Sequence, residues 1–286
     1  MRISHSKTEL YNTCSMKFKF RYVDKLKGNF TPSALLFGVA MDVSLNYILE
    51  AIRDKKEWTK EGAEQIFIQE MNKWNGEDRL DFFKGDVPKD LLETLDEDSR
   101  EHQELIWDNL CQRGIKCLSV YITEVLPQID EVISVQNQGV IKNKEEDEFV
   151  FIVDFIAKMK DGRTVLLDNK TASAKYPKNK VVKSQQLSLY LEAFPDIKYA
   201  GYIVLIKNPE KEKGMTHQIM IDEIPEETKQ ESFDKLETAL LNIKNEVFEP
   251  NLKSCRLYNK PCEYTNLCMY GDKTGLISTE RKKNEN

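Results

Sequence analysis

The sequence predicts an α/β fold, and three observations carry that prediction. Two apolar, β-prone segments, Glu148–Met159 and Arg163–Lys170, follow one another across a tight turn. Further strand-like runs come at 199–207 and near 216–222, with a helical stretch at about 183–194 between the third and fourth strands. Ahead of them the chain is helical, with Leu105, Leu110, Ile115, Leu118 and Ile122 recurring at helical spacing.

In chain order, residues 6–24 read as a helix entered directly from the N-terminus, with Ser6-Lys-Thr-Glu9 as its capping box. A second helix covers 35–56. A charged helical region from about 59 to 127 includes Ala63–Trp74 and Glu97–Leu126, and its apolar stripe reads as core. A strand at 131–142 precedes the two segments above, and a helix at 225–247 leads into a cysteine segment. The tail Ser278–Asn286 has the composition of a disordered end. No Gly/Ser/Pro-rich linker and no internal repeat divides the 286 residues, which suffice for a sizeable core. The expected organisation is one domain over 1–277. It comprises a helical insertion at about 57–128, a catalytic core at about 129–224, a C-terminal helix and cysteine segment at about 225–270, and a tail at 278–286.

Asp154 interrupts the first apolar strand, and Asp168-Asn169-Lys170 ends the second. Buried strands seldom carry unpaired carboxylates, because desolvating a charge is expensive. Register decides whether the two acids meet. A two-residue Asp161-Gly162 loop would set Asp154 opposite Asn169 and point the acids to opposite faces. A three-residue Lys160-Asp161-Gly162 loop, with glycine in the left-handed position, pairs Met159 with Arg163 and Asp154 with Asp168. Gly162 fits that position, so the second register is expected, with both acids and Lys170 on one face. This constellation suggests a divalent-cation site; a structural ion pair at a sheet edge is the competing reading.

With these motifs the chain resembles the PD-(D/E)XK nuclease superfamily, and within it the RecB-like exonuclease branch. The pattern is an Asp on one strand, (Asp/Glu)-x-Lys on the next, and a helix with Gln-x-x-x-Tyr. Here it reads Asp154, Asp168-Asn169-Lys170 and Gln186-Leu187-Ser188-Leu189-Tyr190. Upstream, the family's Gly followed four residues later by His reads Gly38…Asp42, so an acid stands where His is usual. The resemblance spans about Ile3 to Met269. It implies a restriction-endonuclease-like core, a mixed central sheet flanked by helices, and a metal-dependent DNA exonuclease using Mg²⁺ or Mn²⁺. Asp154, Asp168 and the Asn169 backbone carbonyl would be metal ligands, with Asp42 as a further oxygen ligand. Lys170 would orient or deprotonate the attacking water, or stabilise the phosphate. Gln186 and Tyr190, one helical turn apart, would face the substrate backbone or Lys170.

The chain is acidic overall, with a net charge of −6, which excludes a general affinity for phosphates. From Asn169 to Leu191, however, there is no acidic residue, while Lys175, Lys178, Lys180 and Lys183 accumulate. A basic loop beside a metal site points to DNA contact; a solvated loop is the plain alternative.

Six cysteines occur, with no secretory signal and no apolar run expected to be long enough to cross a membrane. A cytoplasmic location follows as the expectation, and there a disulfide framework is disfavoured. Cys255, Cys262 and Cys268 gather near the C-terminus, and Cys14 lies far upstream. This arrangement resembles that of the RecB-like nucleases with an iron–sulfur cluster, among them the AddB exonuclease and CRISPR adaptation nucleases. The resemblance implies that these four hold a 4Fe–4S cluster tying the chain ends together, with Zn²⁺ as the alternative. The six-residue gap after Cys255 departs from the branch's usual Cys-x-x-Cys. Cys111 and Cys117 read as helix core residues. His5, His102 and His217 form no metal-spaced pair.

The chain carries no Walker A loop, so any unwinding would come from a helicase or recombination protein. The expected roles lie in recombination, repair or phage DNA processing. A catalytically silent DNA-binding or assembly module and a zinc protein without nuclease activity are the rival classes.

Overall fold

A computed structural model describes residues 1–73, 79–81, 100–257 and 260–280. In chain order its elements are β1 (Arg2–Ser4), α1 (His5–Thr13), α2 (Ser15–Phe18), β2 (Leu26–Gly28), β3 (Phe30–Pro32), α3 (Ser33–Arg53), α4 (Lys60–Met71), β4 (Arg79–Asp81) and α5 (Arg100–Val120). There follow β5 (Ile129–Lys142), β6 (Glu148–Met159), β7 (Thr164–Ala172), α6 (Gln185–Leu191), β8 (Tyr199–Ile206), β9 (His217–Glu223) and α7 (Glu226–Lys244). The chain closes with β10 (Arg256–Leu257), β11 (Lys260–Pro261), α8 (Thr265–Tyr270) and β12 (Leu276–Ser278). Two compact units emerge: Met1–Phe30 with Val140–Phe151 and Gln230–Asn286, and Thr31–Gly139 with Ile152–Lys229.

The second unit has a mixed sheet, as expected. β6 and β7 are antiparallel, β7 and β8 parallel, β8 and β9 antiparallel, and β5 pairs with β6. The parallel step requires a crossover, and α6 provides it. Over Phe155–Ala157 β6 is buried on both faces, which explains the apolar run there, and Lys158 then turns out to solvent. Phe155, Ala157, Val165, Leu167, Ile203 and Leu205 pack with α3, α4 and α5 through Phe37, Met41, Leu45, Phe67, Leu110 and Leu118. Cys111 and Cys117 lie in this core, 8 % and 5 % exposed. Burial pushes their thiols up, to about 11 and about 12.

The hairpin between β6 and β7 takes the three-residue loop. Phe155 pairs with Leu167 and Lys158 with Thr164, Met159 N–H donates to the Arg163 carbonyl, and Gly162 has φ +89°. Asp161 adds its own tie, accepting the Arg163 N–H at 3.0 Å.

In the first unit β1 lies parallel to the start of β6, Arg2 opposite Glu148 and Ser4 opposite Val150. The Met1 ammonium and Lys244 both meet Asp147, at 2.7 and 2.6 Å. The rings of Tyr11, Phe18 and Phe248 pack together, and the Tyr11 hydroxyl donates to the Val247 carbonyl at 2.6 Å.

Several expectations are corrected. The N-terminus enters a strand before its helix, and helix 6–24 is broken: Cys14 is extended, and a π-helical turn over Lys19–Val23 ends the segment. Ser6 lies inside α1, which starts after Ser4 without a side-chain cap, so Ser6-x-x-Glu9 is not a capping box. Ser278, placed in the tail, pairs with Leu26, and the Thr279 N–H donates to the Lys25 carbonyl. Residues 281–286, Trp74 and 97–99 lie outside the described residues. Finally, α3 does have the length and hydropathy of a membrane-spanning helix. It is a core helix here: Phe37, Ala40, Met41, Leu45, Ile48 and Leu49 are each at most 2 % exposed.

Candidate active site

At the end of the β6–β7 ladder the two strands part. Bonded pairs alternate along an antiparallel ladder. Counting from Met159 and Arg163, the next bonded pair after Phe155 and Leu167 would be Val153 and Asn169. Instead the Asn169 N–H donates to Asp154 Oδ2 at 2.7 Å. A side-chain carboxylate has thus replaced a backbone carbonyl. Continued by one step, the register would set Asp154 against Asp168, and the two carboxyls are close enough that the charge of Asp168 acts on Asp154.

Asp168 is 2 % exposed and held from two sides. Its Oδ1 accepts from Gln186 Nε2 at 2.8 Å, and its Oδ2 is in close contact with the Lys170 ammonium. The same Gln186 nitrogen donates to the Tyr190 hydroxyl at 2.9 Å. These contacts exist because α6 presents positions 186 and 190 on one face. Ser184 starts that helix by accepting the Leu187 N–H at 3.1 Å, and its hydroxyl also meets Tyr202 on β8 at 2.6 Å. Ser184, Tyr202 and Asn46 were missed from sequence. Asn46 lies one turn from Asp42 on α3 and hydrogen-bonds to its carboxyl, a pairing that helical spacing could have revealed.

Charge is crowded here. Burial, then the charges of Asp168 and Asp42, push the Asp154 carboxyl well above the usual carboxylate range against the pull of Lys170. Asp42 is raised too, chiefly by burial and also by Asp168. Burial alone would pull Lys170 down, but Asp168 and Asp154 outweigh it and hold the ammonium above its ordinary value. Burial raises Tyr190 to about 12, tempered by Gln186. A cleft of about 440 Å³ opens onto Asp42, Asp154, Asn169 and Lys170.

Among the described residues no three His, Cys, Asp or Glu side chains form a group that could by itself hold a metal ion. The pair Asp154 and Asp168 still suits Mg²⁺. That ion is usually bound by one or two carboxylates and completes its shell with water and substrate phosphate. A divalent cation would also relieve the crowding that raises Asp154.

A sequence profile of the PD-(D/E)XK nuclease superfamily matches residues 2–269. The chain belongs to the PD-(D/E)XK nuclease superfamily. Among solved structures, a candidate exonuclease from Eubacterium rectale is similar at 10 % identity, with 94 % of this chain and 93 % of that one covered and a TM-score of 0.47. A second, SSO0001, is 14 % identical over 49 % of this chain and 66 % of its own, with a TM-score of 0.31. No protein with a curated description matches the sequence.

The superfamily positions read from sequence fall together in the second unit: Asp42, Asp154, Asp168, Asn169, Lys170, Gln186 and Tyr190. Lys175, Lys178, Lys180 and Lys183 are all exposed, Lys175 lying 3.8 Å from Glu212 and Lys180 over the Tyr176 ring.

In the first unit Cys14, Cys255, Cys262 and Cys268 line one small apolar cavity. Hydrogen bonds bring the distant segments together: Met16 N–H to the Glu249 carbonyl, Glu249 N–H to Ser15 Oγ, and Asn251 Nδ2 to the Thr13 carbonyl. The Asn251 N–H lies 3.4 Å from Cys14 Sγ. All four are free thiols, and Cys262 and Cys268 are raised by burial first. The donor set, sulfur only, suits a cluster or zinc, but the four sulfurs do not form a closed ligand group.

Proposed function

We propose that the chain is a Mg²⁺- or Mn²⁺-dependent deoxyribonuclease of the RecB-like branch that removes nucleotides from DNA ends. The carrying observation is that Asp154 and Asp168 meet in one charged site just past the end of the β6–β7 ladder, the Asn169 N–H on Asp154 and Lys170 against Asp168. On this reading residues 1–277 work as one nuclease domain in the cytoplasm, in recombination, repair or phage DNA processing. A helicase or recombination protein supplies any unwinding.

Asp154, Asp168 and the Asn169 carbonyl would hold the cation, with Asp42 adding carboxylate charge beside them. The bound cation supplies Lewis acidity toward the phosphate and the attacking water. Lys170, kept protonated by the two carboxylates, stabilises negative charge growing on the phosphate. Gln186 fixes the Asp168 carboxylate, and Tyr190 fixes Gln186. Lys175, Lys178, Lys180 and Lys183 take the DNA backbone. The competing reading, a catalytically silent DNA-binding or assembly module, draws on Asp42, which bonds Asn46 and completes no three-ligand group.

The proposal extends to the four gathered cysteines, which would hold a 4Fe–4S cluster, with zinc as the alternative. Their common cavity supports it. A cluster predicts about four iron and four sulfide per chain in anaerobically purified protein. Stoichiometric zinc without sulfide would replace the cluster.

Activity is tested with linear and circular DNA, each single- and double-stranded, in Mg²⁺ or Mn²⁺. An exonuclease consumes linear DNA and spares circles. Loss of both makes the chain an endonuclease, and loss of neither selects the silent module.

A further inference from the structure

One wall of the active-site cleft is apolar and exposed. Leu35 and Val39 of α3 and Ile152 of β6 line it while remaining 57 %, 49 % and 45 % exposed. Leu35, Val39 and Asp42 recur at helical spacing, so the apolar residues and the acid share a stripe of α3. Ile152 lies two residues before Asp154 and projects from the same face of β6.

Gly38 interrupts this stripe. Glycine inside a helix is unfavourable against alanine, and packing does not require it here: a Cβ at Gly38 would meet nothing within 4 Å. The space it leaves opens into the cleft. Gln136 of β5, also lining the cleft, has φ +52°, a left-handed conformation that residues with a Cβ seldom adopt and that clusters at functional sites.

We infer that Leu35, Val39 and Ile152 form a shelf for an unpaired nucleobase beside the scissile phosphate, with Gly38 leaving room for it, so that the site selects single-stranded DNA ends. The inference rests on the nuclease reading and adds the strandedness of its substrate. Every base has an apolar face and a polar edge. In a duplex those faces are stacked and those edges paired, and exposing them takes energy. An unpaired terminal base offers its face to the shelf at once. The Gln136 amide both donates and accepts, so it can meet any base edge, and the preference is for strandedness rather than sequence. A cleft of about 440 Å³ matches a single small ligand.

The test uses the full chain, a Leu35→Ser/Val39→Ser double variant, Ile152→Thr and Gly38→Ala. The substrates are a short fluorescein-labelled oligothymidylate and the same strand with abasic residues at its end. The parent should show a KM roughly tenfold lower for the strand with bases. The double variant, or Ile152→Thr should the former not fold, should treat both strands alike. Gly38→Ala should raise the melting temperature by about 2–4 °C yet weaken the preference. Equal KM values in the parent, or a preference retained in folded variants, would overturn the shelf. If the parent cleaves neither strand, Kd from fluorescence anisotropy separates the two ideas. A base preference lost in the variants keeps the shelf and removes the nuclease reading; equal Kd values remove the shelf.

Discussion

Asp154 lies half-buried beside two other carboxylates and one ammonium, and this position sets its titration. Burial and the neighbouring acids raise its carboxyl above the ordinary value of 3.8. In the metal-free protein the folded chain therefore binds more protons than the unfolded chain across the window from 3.8 up to the raised value. Stability must fall as pH rises through that window, and Asp42, raised in the same direction, adds to the fall. We expect the thermal midpoint of chelator-treated protein to decline from about pH 4 toward neutrality. Mg²⁺ should restore it at neutral pH, and Asp154→Asn should flatten the decline. A parent whose midpoint ignores both pH and Mg²⁺ would show that no charge crowding exists at this site.

At the scale of elements, the β6–β7 hairpin was legible because its signal is local. Asp161 and Gly162 specify a three-residue loop, that loop fixes the register from Lys158–Thr164 to Phe155–Leu167, and Asp154 and Asp168 follow next along the two strands. Gly162→Val should cost about 1–2 kcal/mol, because φ +89° is left-handed backbone closed to a β-branched residue. Calorimetry checks this, and an unchanged midpoint would mean that the loop is held some other way. What the sequence hid depends on distant partners. β1 becomes a strand only by lying against Glu148–Val150, and the break at Cys14 is stabilised by Glu249 and Asn251. Ser6-x-x-Glu9 has the letters of a capping box, but the chain enters α1 from a strand two residues earlier than those letters imply. The run over α3 has the length and hydropathy of a membrane span, and only the packing of its apolar face shows it to be a core helix.

For the whole molecule, a net charge of −6 leaves the substrate to be attracted locally. If Lys175, Lys178, Lys180 and Lys183 meet phosphates, a quadruple Ala variant should bind single strands with a shallower salt dependence. Each lost contact removes roughly 0.7 from the slope of log K against log salt. An unchanged slope would make the loop a solvated surface. The cysteines join sequence positions near both ends, so a metal held among them would close a very long loop and couple binding to stability. Cys14→Ala should then unfold at lower temperature, whereas equal melting of variant and parent would remove that coupling.

The central claim is that Asp154 and Asp168 hold a divalent cation with which Lys170 drives phosphodiester hydrolysis. The most direct measurement is the rate of degradation of end-labelled single-stranded DNA in Mg²⁺ or Mn²⁺ by the parent, Asp168→Asn and Lys170→Ala, each checked for an intact melting transition. We predict cation-dependent cleavage by the parent and a loss of about 10²–10³-fold or more in each variant. Cleavage by Asp168→Asn or Lys170→Ala at the parent's rate would contradict the account, as would a parent that is inert with every divalent cation.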